Sequence, residues 1–297
     1  MPVLTSLYLC NSTVYAAVGS STANGAKITA ACQTELPEGC LINGIITNEA
    51  ELTAALQGFF AANELPTQRV ALAAGGSQFN HRVLTLPRMS EKKRAAVLTR
   101  EFSTGGADVT APLDDYMLLS TDKKTKADTV LATRVESAVI ETYINLAAAC
   151  GLKLYSIDLA LAGQIKLVRA TPELAGKSFV VLQFDGDSLI AGLYEKGQYK
   201  YSTRSRLFNP RGTEASGAEI GQKLSGLIQF QTAAKSEHPI KAVYFGGSTA
   251  ADLAACMPAC RALQLEVAAY PETGNIKLPE GIRLADIALA AGNLIGR

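Results

Sequence analysis

The chain has 297 residues, 48% of them hydrophobic, with 28 Lys plus Arg against 27 Asp plus Glu for a formal net charge of +1. A balance this close to neutral offers no summed field to draw a nucleic-acid backbone or an anionic lipid surface, and the apolar content excludes a disordered chain. The length exceeds what one hydrophobic core usually serves, so two lobes with a small further module are expected.

At the N-terminus, Met1 to Tyr8 has no basic region followed by a long apolar run, and no stretch reaches the roughly 18 apolar residues of a membrane span, which predicts a cytoplasmic protein without direct membrane insertion. Alternating apolar and polar positions between turn formers predict strands over Val3 to Cys10, Thr13 to Val18 and Ala26 to Cys32. Asn48, placed as an N-cap before first-turn acids, begins an amphipathic helix to Ala62 with Leu52, Leu56 and Phe59 on one face. Arg69 to Ala74 reads as a short buried strand, and Gly75-Gly76 as a turn and boundary.

From Ser77 to Cys150 the texture changes. Strand Arg82 to Leu86, a helix begun by Ser90-Glu91, strands near Tyr116 to Leu119 and Val130 to Arg134, and a helix from Glu136 to Ala149 ended by Gly151 are predicted. Ser103 to Pro112 and Thr121 to Asp128 read as surface loops, the latter with a solvated cluster of Lys123, Lys124 and Lys126. Leu152 to Leu161 follows as a strand, Ile165 to Arg169 as the end of a short helix, and Thr171 to Lys177 as a crossover.

The opening pattern then recurs: strands Phe179 to Phe184, Ser188 to Tyr194 and Gln198 to Arg206, joined by turns at Asp185-Gly186 and Lys196-Gly197. A helix from Ala218 to Ala234 with Ile220, Leu224, Leu227 and Ile228 on one stripe leads to strand Ala242 to Phe245 and Gly246-Gly247. A helix over Ala250 to Ala262, a strand near Glu266 to Ala269 and a closing helix from Leu284 to Ile295 complete the chain. A β-β-β-α-β unit is thus read twice.

The six cysteines, at positions 10, 32, 40, 150, 256 and 260, lie in apolar segments without paired ligand spacing and read as reduced, buried residues. Cys256 and Cys260 stand four apart, but Met257-Pro258 is expected to interrupt the helix between them, and His81 and His238 are remote, so no metal is expected. His81, between Asn80 and Arg82, reads as a surface or strand-edge residue rather than a proton carrier. Gly-x-Ser-x-Gly, Walker, HExxH and EF-hand patterns do not occur.

Beyond the duplication, four stretches carry a resemblance. They are Arg69-Val-Ala-Leu-Ala-Ala leading to Val83-Leu-Thr-Leu-Pro-Arg-Met-Ser90, then Cys150-Gly-Leu-Lys-Leu-Tyr-Ser-Ile-Asp158-Leu-Ala-Leu, then Leu224-Ser-Gly-Leu-Ile-Gln-Phe-Gln231 before Ala242-Val-Tyr-Phe-Gly-Gly247, and Leu284 to Gly296. In these the chain resembles the PilM family of actin-like proteins of type IV pilus machines. The resemblance implies an α/β, actin-like fold of two ribonuclease-H-like lobes with a small inserted α+β subdomain. Residues 1–76 would form the first lobe, completed by 151–176 and the C-terminal helix 283–297; 77–150 would be the insertion and 177–282 the second lobe.

In actin-like ATPases the first hairpin presents a carboxylate near the metal and a glycine that lets backbone N–H groups approach phosphate. With Leu7 to Val14 aligned on that hairpin, the acid's place falls at Tyr8, the glycine's at Cys10, the turn at Asn11 and Ser12, and a following lysine's at Tyr15. In the second hairpin the acid and glycine places hold Gln183 and Asp185; a register shifted by two puts Asp185 at the acid and Asp187 at the glycine. Gly246-Gly247 keeps the form of the pair that lies against adenosine in relatives, and reads equally as a tight strand-to-helix turn. The chain between Arg206 and Ala218 leaves little room for a base-covering subdomain, and Glu219 and Lys223 read as an i, i+4 surface pair. With acid, glycine and base replaced together, the positioning that phosphoryl transfer depends on is lost. The resemblance therefore implies a pseudo-ATPase with a vestigial cleft and no cofactor, with Mg-ATP as the alternative.

As partners it implies the N-terminal tail of a PilN-like inner-membrane protein, held in a groove between the first lobe and the insertion, together with other pilus assembly components. Such a tail can lie along an exposed strand edge. The rival reading is an ATPase or sugar-kinase-like phosphotransferase of the same fold using Asp185 and Asp187 as its carboxylates. A cell-division or microcompartment relative is a third reading, and the absence of an amphipathic helix beyond Ile295 speaks against direct membrane anchoring in it.

Overall fold

The computed structural model describes residues 2–103 and 111–296. It opens with an antiparallel meander of β1 (Leu4–Leu9), β2 (Thr13–Ser21) and β3 (Ala26–Glu35). β1 is buried at every position, the behaviour of a strand covered on both faces. A hairpin of β4 (Leu41–Ile42) and β5 (Ile45–Ile46), too short to leave an alternation in the sequence, leads to α1 (Glu49–Ala62). Asn48 caps α1 by accepting the Glu51 N–H at 3.2 Å, and Leu52, Leu56, Phe59 and Phe60 are buried beneath it. Burial of each such side chain contributes about 1.5–3 kcal/mol of transfer free energy. β6 (Val70–Ala74) then pairs parallel to β1.

The insertion is built from β7 (Asn80–Pro87), α2 (Glu91–Ser103), β8 (Pro112–Asp122) and β9 (Ala127–Glu136), with strand order β7-β9-β8 and a core of Leu86, Leu98, Phe102, Val130 and Ala132. The expected loop Thr121 to Asp128 is instead the tight β8–β9 hairpin, in which Thr121 and Asp128 are ladder partners. Asp128 is buried, bound by Arg94 at 2.6 Å and Thr121 at 2.8 Å; a strand end whose core position is a paired carboxylate leaves no apolar period to read. Of the other expected loop, Ser103 to Pro112, residues 104–110 lie outside the described residues. α3 (Ser137–Ala149) was expected to close the insertion, but its Tyr143, Leu146 and Ala147 enter the core of the first lobe, and Tyr143 Oη donates to the Gly44 carbonyl at 2.7 Å.

β10 (Leu154–Leu159) lies beside β6, and α4 (Ala160–Arg169) follows at once, so Leu161 is helical rather than extended. After a 3-10 turn at Pro172–Leu174, β11 (Phe179–Asp185), β12 (Ser188–Glu195) and β13 (Gln198–Arg206) repeat the meander, and β11 is again buried throughout. α5 (Glu214–Ala233) starts ahead of the expected Ala218 because Thr213 and Ser216 form a reciprocal capping box, a start signal that carries no apolar period. β14 (Ala242–Gly246) runs parallel to β11, followed by α6 (Ala250–Ala262) and β15 (Glu266–Ala269). α6 runs through Pro258 without the expected interruption; the single backbone bond that proline omits is offset by Cys256 and Cys260, both buried on one face.

β16 (Ile276–Lys277) pairs with β3, so the chain returns to the first sheet inside the span 177–282 assigned to the second lobe; two residues carry no pattern of their own. The expected closing helix is divided into a 3-10 turn at Leu284–Asp286 and α7 (Ala288–Leu294). The Ala285 carbonyl accepts the Gly247 N–H at 2.7 Å and so is withdrawn from the helical ladder. Sheet orders β10-β6-β1-β2-β3-β16 and β15-β14-β11-β12-β13 confirm the duplication. The layers run from α1 and α3, through the first sheet, to α4 and α7, then the second sheet, then α5 and α6. Among the described residues no helix is long and apolar enough to cross a membrane.

α5 crosses α6 at Gly217, where a Cβ would fall 1.9 Å from the Ala255 carbonyl oxygen. Gly217→Ala is therefore expected to destabilise the fold by about 1–3 kcal/mol through overpacking, although alanine is the better helix former. The denaturant midpoint should fall at constant m-value.

Candidate functional site

The β1–β2 and β11–β12 hairpins occupy equivalent places in the two sheets, and their turns meet. The Asn11 N–H donates to Asp185 Oδ1 at 3.1 Å, while Asp185 Oδ2 is paired with the Arg204 guanidinium. Gly186, at φ +62°, brings its turn so close that a Cβ there would lie 2.9 Å from Ser12 Oγ. On the first-lobe side, Asn11 Oδ1 accepts the Asn43 N–H at 2.7 Å, and Asn43 Nδ2 donates to Ser77 Oγ at 2.7 Å.

Beneath the turn, Tyr8 and Cys10 are buried. Burial, reinforced by the Asp185 carboxylate, pushes the Tyr8 phenol and the Cys10 thiol well above their ordinary values, so both stay neutral. Tyr8 stacks on Tyr15 at a centroid distance of 6.0 Å, and burial pushes the Tyr15 phenol up to about 12. Across the cleft the Gln183 side chain covers the glycine pair: Cβ positions on Gly246 and Gly247 would lie 2.2 Å from its Oε1 and 2.7 Å from its Nε2. Gln183 Nε2 donates to the Phe184 carbonyl at 3.1 Å. The Gly247 carbonyl accepts Arg211 Nη2 at 2.9 Å, and Arg211 also binds Asp252 at 2.6 Å and lies 4.0 Å over the Phe184 ring.

The eight positions singled out in the sequence lie on the two meeting hairpins and at the end of β14. No carboxylate stands at Tyr8 or Gln183, the Asn11 N–H and the Arg204 guanidinium are spent on Asp185, and the glycine pair is covered by a side chain. Asp187 is paired with Arg206 at 2.7 Å. Beside this contact a cleft of about 800 Å³ remains, bordered by Ser77, His81, Arg204 and Arg206. His81 bonds Ser202 Oγ at 3.0 Å, a strand-edge role as expected. Glu219 pairs with Lys223 at 3.4 Å as expected, and in addition accepts the Phe208 N–H at 3.1 Å.

Sequence reasoning missed Arg204, Arg211 and Asn43. For Arg204 a signal was present: Asp185-x-Asp187, at the end of β11 and in the turn after it, and Arg204-x-Arg206, at the end of β13, repeat one spacing. Arg211 and Asn43 sit in connections, where no period marks them.

A second concavity, of about 610 Å³, separates the insertion from the first lobe. Consecutive residues of β8 (113–117) and of β10 (154–159) line it, with Ile140 and Ile144 of α3 and Lys166 of α4. β8 and β10 are the outer strands of their sheets, so two strand edges face this groove. The pairing of β10 with β6 shifts between Leu154 and Ser156, and such an irregularity re-aims the side chain between. Leu113, Ile144 and Tyr155 are 48%, 47% and 49% exposed, a high value for residues of this size. Ser156 Oγ is buried without a hydrogen-bond partner among the described residues. The β8 wall is fixed by Arg134, which binds Asp114 at 2.7 and 2.8 Å and the Thr99 carbonyl at 3.1 Å.

No family model and no curated protein matches this sequence. Solved structures do. The chain is similar to a chain of the PilM-PilN type IV pilus biogenesis complex, with a TM-score of 0.78 and 14% identity over 98% of both chains. It is also similar to a Bacteroides thetaiotaomicron protein with an actin-like ATPase fold, at a TM-score of 0.54 and 12% identity over 90% of both. A third likeness is to the cytoplasmic domain of EpsL, an inner membrane component of the type II secretion system of Vibrio cholerae. There the TM-score is 0.53 and the identity 10% over 98% of this chain and 94% of that one. The chain has the actin-like ATPase fold.

Hydrogen bonds from Arg134 hold the Asp114 carboxyl below its ordinary value, with a smaller contribution from Thr99 that outweighs burial together with them. A carboxyl depressed in the folded state adds stability that is complete above its unfolded value and is lost as pH falls through the folded one. Asp114→Asn is expected to flatten part of the acid limb of a melting-temperature-against-pH profile while lowering stability at neutral pH.

Proposed function

We propose that this chain is a cytoplasmic scaffold of type IV pilus assembly, which holds the N-terminal tail of a PilN-like inner-membrane protein in the groove between β8 and β10 and has lost ATP binding. The observation that carries the reading is the pair of outer strand edges facing each other across an apolar-lined groove. An extended tail laid there gains backbone hydrogen bonds from an edge and seats alternate side chains against Leu113, Ile144 and Tyr155. Ser156 Oγ offers a polar partner at the groove floor. The fold-level likeness to the PilM-PilN complex over nearly the whole chain supports the choice of partner. Holding that tail, and with it other assembly components, brings the protein to the inner face of the membrane.

Loss of ATP binding is supported by the neutral, buried Tyr8 and Cys10 and by Gln183 over the glycine pair. The phosphotransferase reading is weakened because both its candidate carboxylates are ion-paired, Asp185 to Arg204 and Asp187 to Arg206.

Calorimetric titration tests both parts. A synthetic peptide of a PilN-like cytoplasmic tail should bind the parent protein, and Leu113→Asp and Ile144→Asp should each weaken it by about tenfold or more, or ~1.4 kcal/mol. Mg-ATP should give neither heat nor thermal stabilisation. Tail binding indifferent to both substitutions would remove the groove from the proposal, and saturable Mg-ATP binding would restore a nucleotide site.

A further inference from the structure

We infer that the Asp185 carboxylate is a built-in anion that closes the cleft between the lobes, standing where a bound anionic ligand would otherwise be needed. The groups converging on it are those of an anion site: a hairpin-turn N–H, from Asn11 at 3.1 Å, and the Arg204 guanidinium. They belong to different bodies, Asn11 to the tip of β1–β2 and Arg204 to β13, so a negative group between them satisfies both at once. Asp185 itself is 3% exposed, at the end of a strand buried along its length.

Gly186 seats the second turn against Ser12, which leaves the two tips in van der Waals contact with the carboxylate enclosed. From Asn11 the link continues through the Asn43 N–H and Asn43 Nδ2 to Ser77 Oγ. Ser77 lies just ahead of β7, so the link runs from the hairpin contact to the start of the inserted subdomain. The device acts independently of whether the groove between β8 and β10 holds a PilN-like tail. Removing one partner of a buried ion pair leaves the other uncompensated, and this makes the idea sharply testable.

Asp185→Gly leaves Arg204 and the Asn11 N–H facing each other without their anion. Its melting temperature should fall below that of the parent and then rise with added inorganic phosphate at constant ionic strength, because a ligand bound only by the folded state stabilises it. The parent and the double variant Asp185→Gly, Arg204→Ala should show no such rise. Asp185→Asn, which keeps the side-chain shape and loses the charge, supplies a second reading by hydrogen exchange. The Asn11 and Asn43 amides should exchange faster than in the parent. Phosphate-insensitive melting of Asp185→Gly, or unchanged protection at Asn11 and Asn43 in Asp185→Asn, would overturn the inference.

Discussion

The architecture rests on one apolar layer that two sheets share. α4 and α7 lie between the sheets, and Leu4 and Tyr8 of β1, Ile165 and Leu167 of α4, Leu289 and Leu294 of α7, and Phe179 and Val181 of β11 form a single core with them. Covering both faces of β1, β6 and β11 is what buries these strands at every position. A sheet of either half alone would leave its inner face in water, so the two repeats are bound to pack together.

Packing the repeats face to face also dictates where their hairpins end up. The same turn of each repeat arrives at the same rim of the shared core, and what occupies the meeting point depends on a few residues. Neutral Tyr8 and Cys10 on one side, and Gln183 and Asp185 on the other, make that meeting point a contact between protein groups. Arg204 and Arg211 take up the carboxylates and carbonyls that such a contact buries, as polar groups withdrawn from water require.

The groove has a different origin, in the break of the repeat symmetry. In the second half α6 alone joins β14 to β15, whereas in the first half β7 to β9 come between β6 and α3. That insertion makes its own small sheet with its own core and presents the outer strand β8 toward the outer strand β10. Two strand edges that would each be an association hazard on their own come to face one groove, with α3 and α4 at its side. Arg134, bound to Asp114 on β8 from the neighbouring β9, keeps that wall in place.

The places of Tyr8, Cys10, Asn11, Ser12, Gln183, Asp185, Gly246 and Gly247 were legible only through the resemblance to actin-like hairpins, whereas local signals in the sequence determined the repeated β-β-β-α-β order, the Asn48 cap and the buried central strands. Each of these rests on an apolar period, a turn residue or a cap within a few neighbours along the chain. Tertiary structure alone decided the rest. The two-residue β16 crosses back to β3, α3 packs on the first lobe, α6 passes through Pro258, and the Ala285 carbonyl ends the 3-10 turn by accepting from Gly247. Arg204 was legible only as a spacing echo of Asp185 and Asp187, and its pairing became certain once β13 lay beside β12. These features depend on atoms brought together from distant parts of the chain, and a short strand, a withdrawn carbonyl or a buried ion pair leaves no periodic trace in the residues that form it.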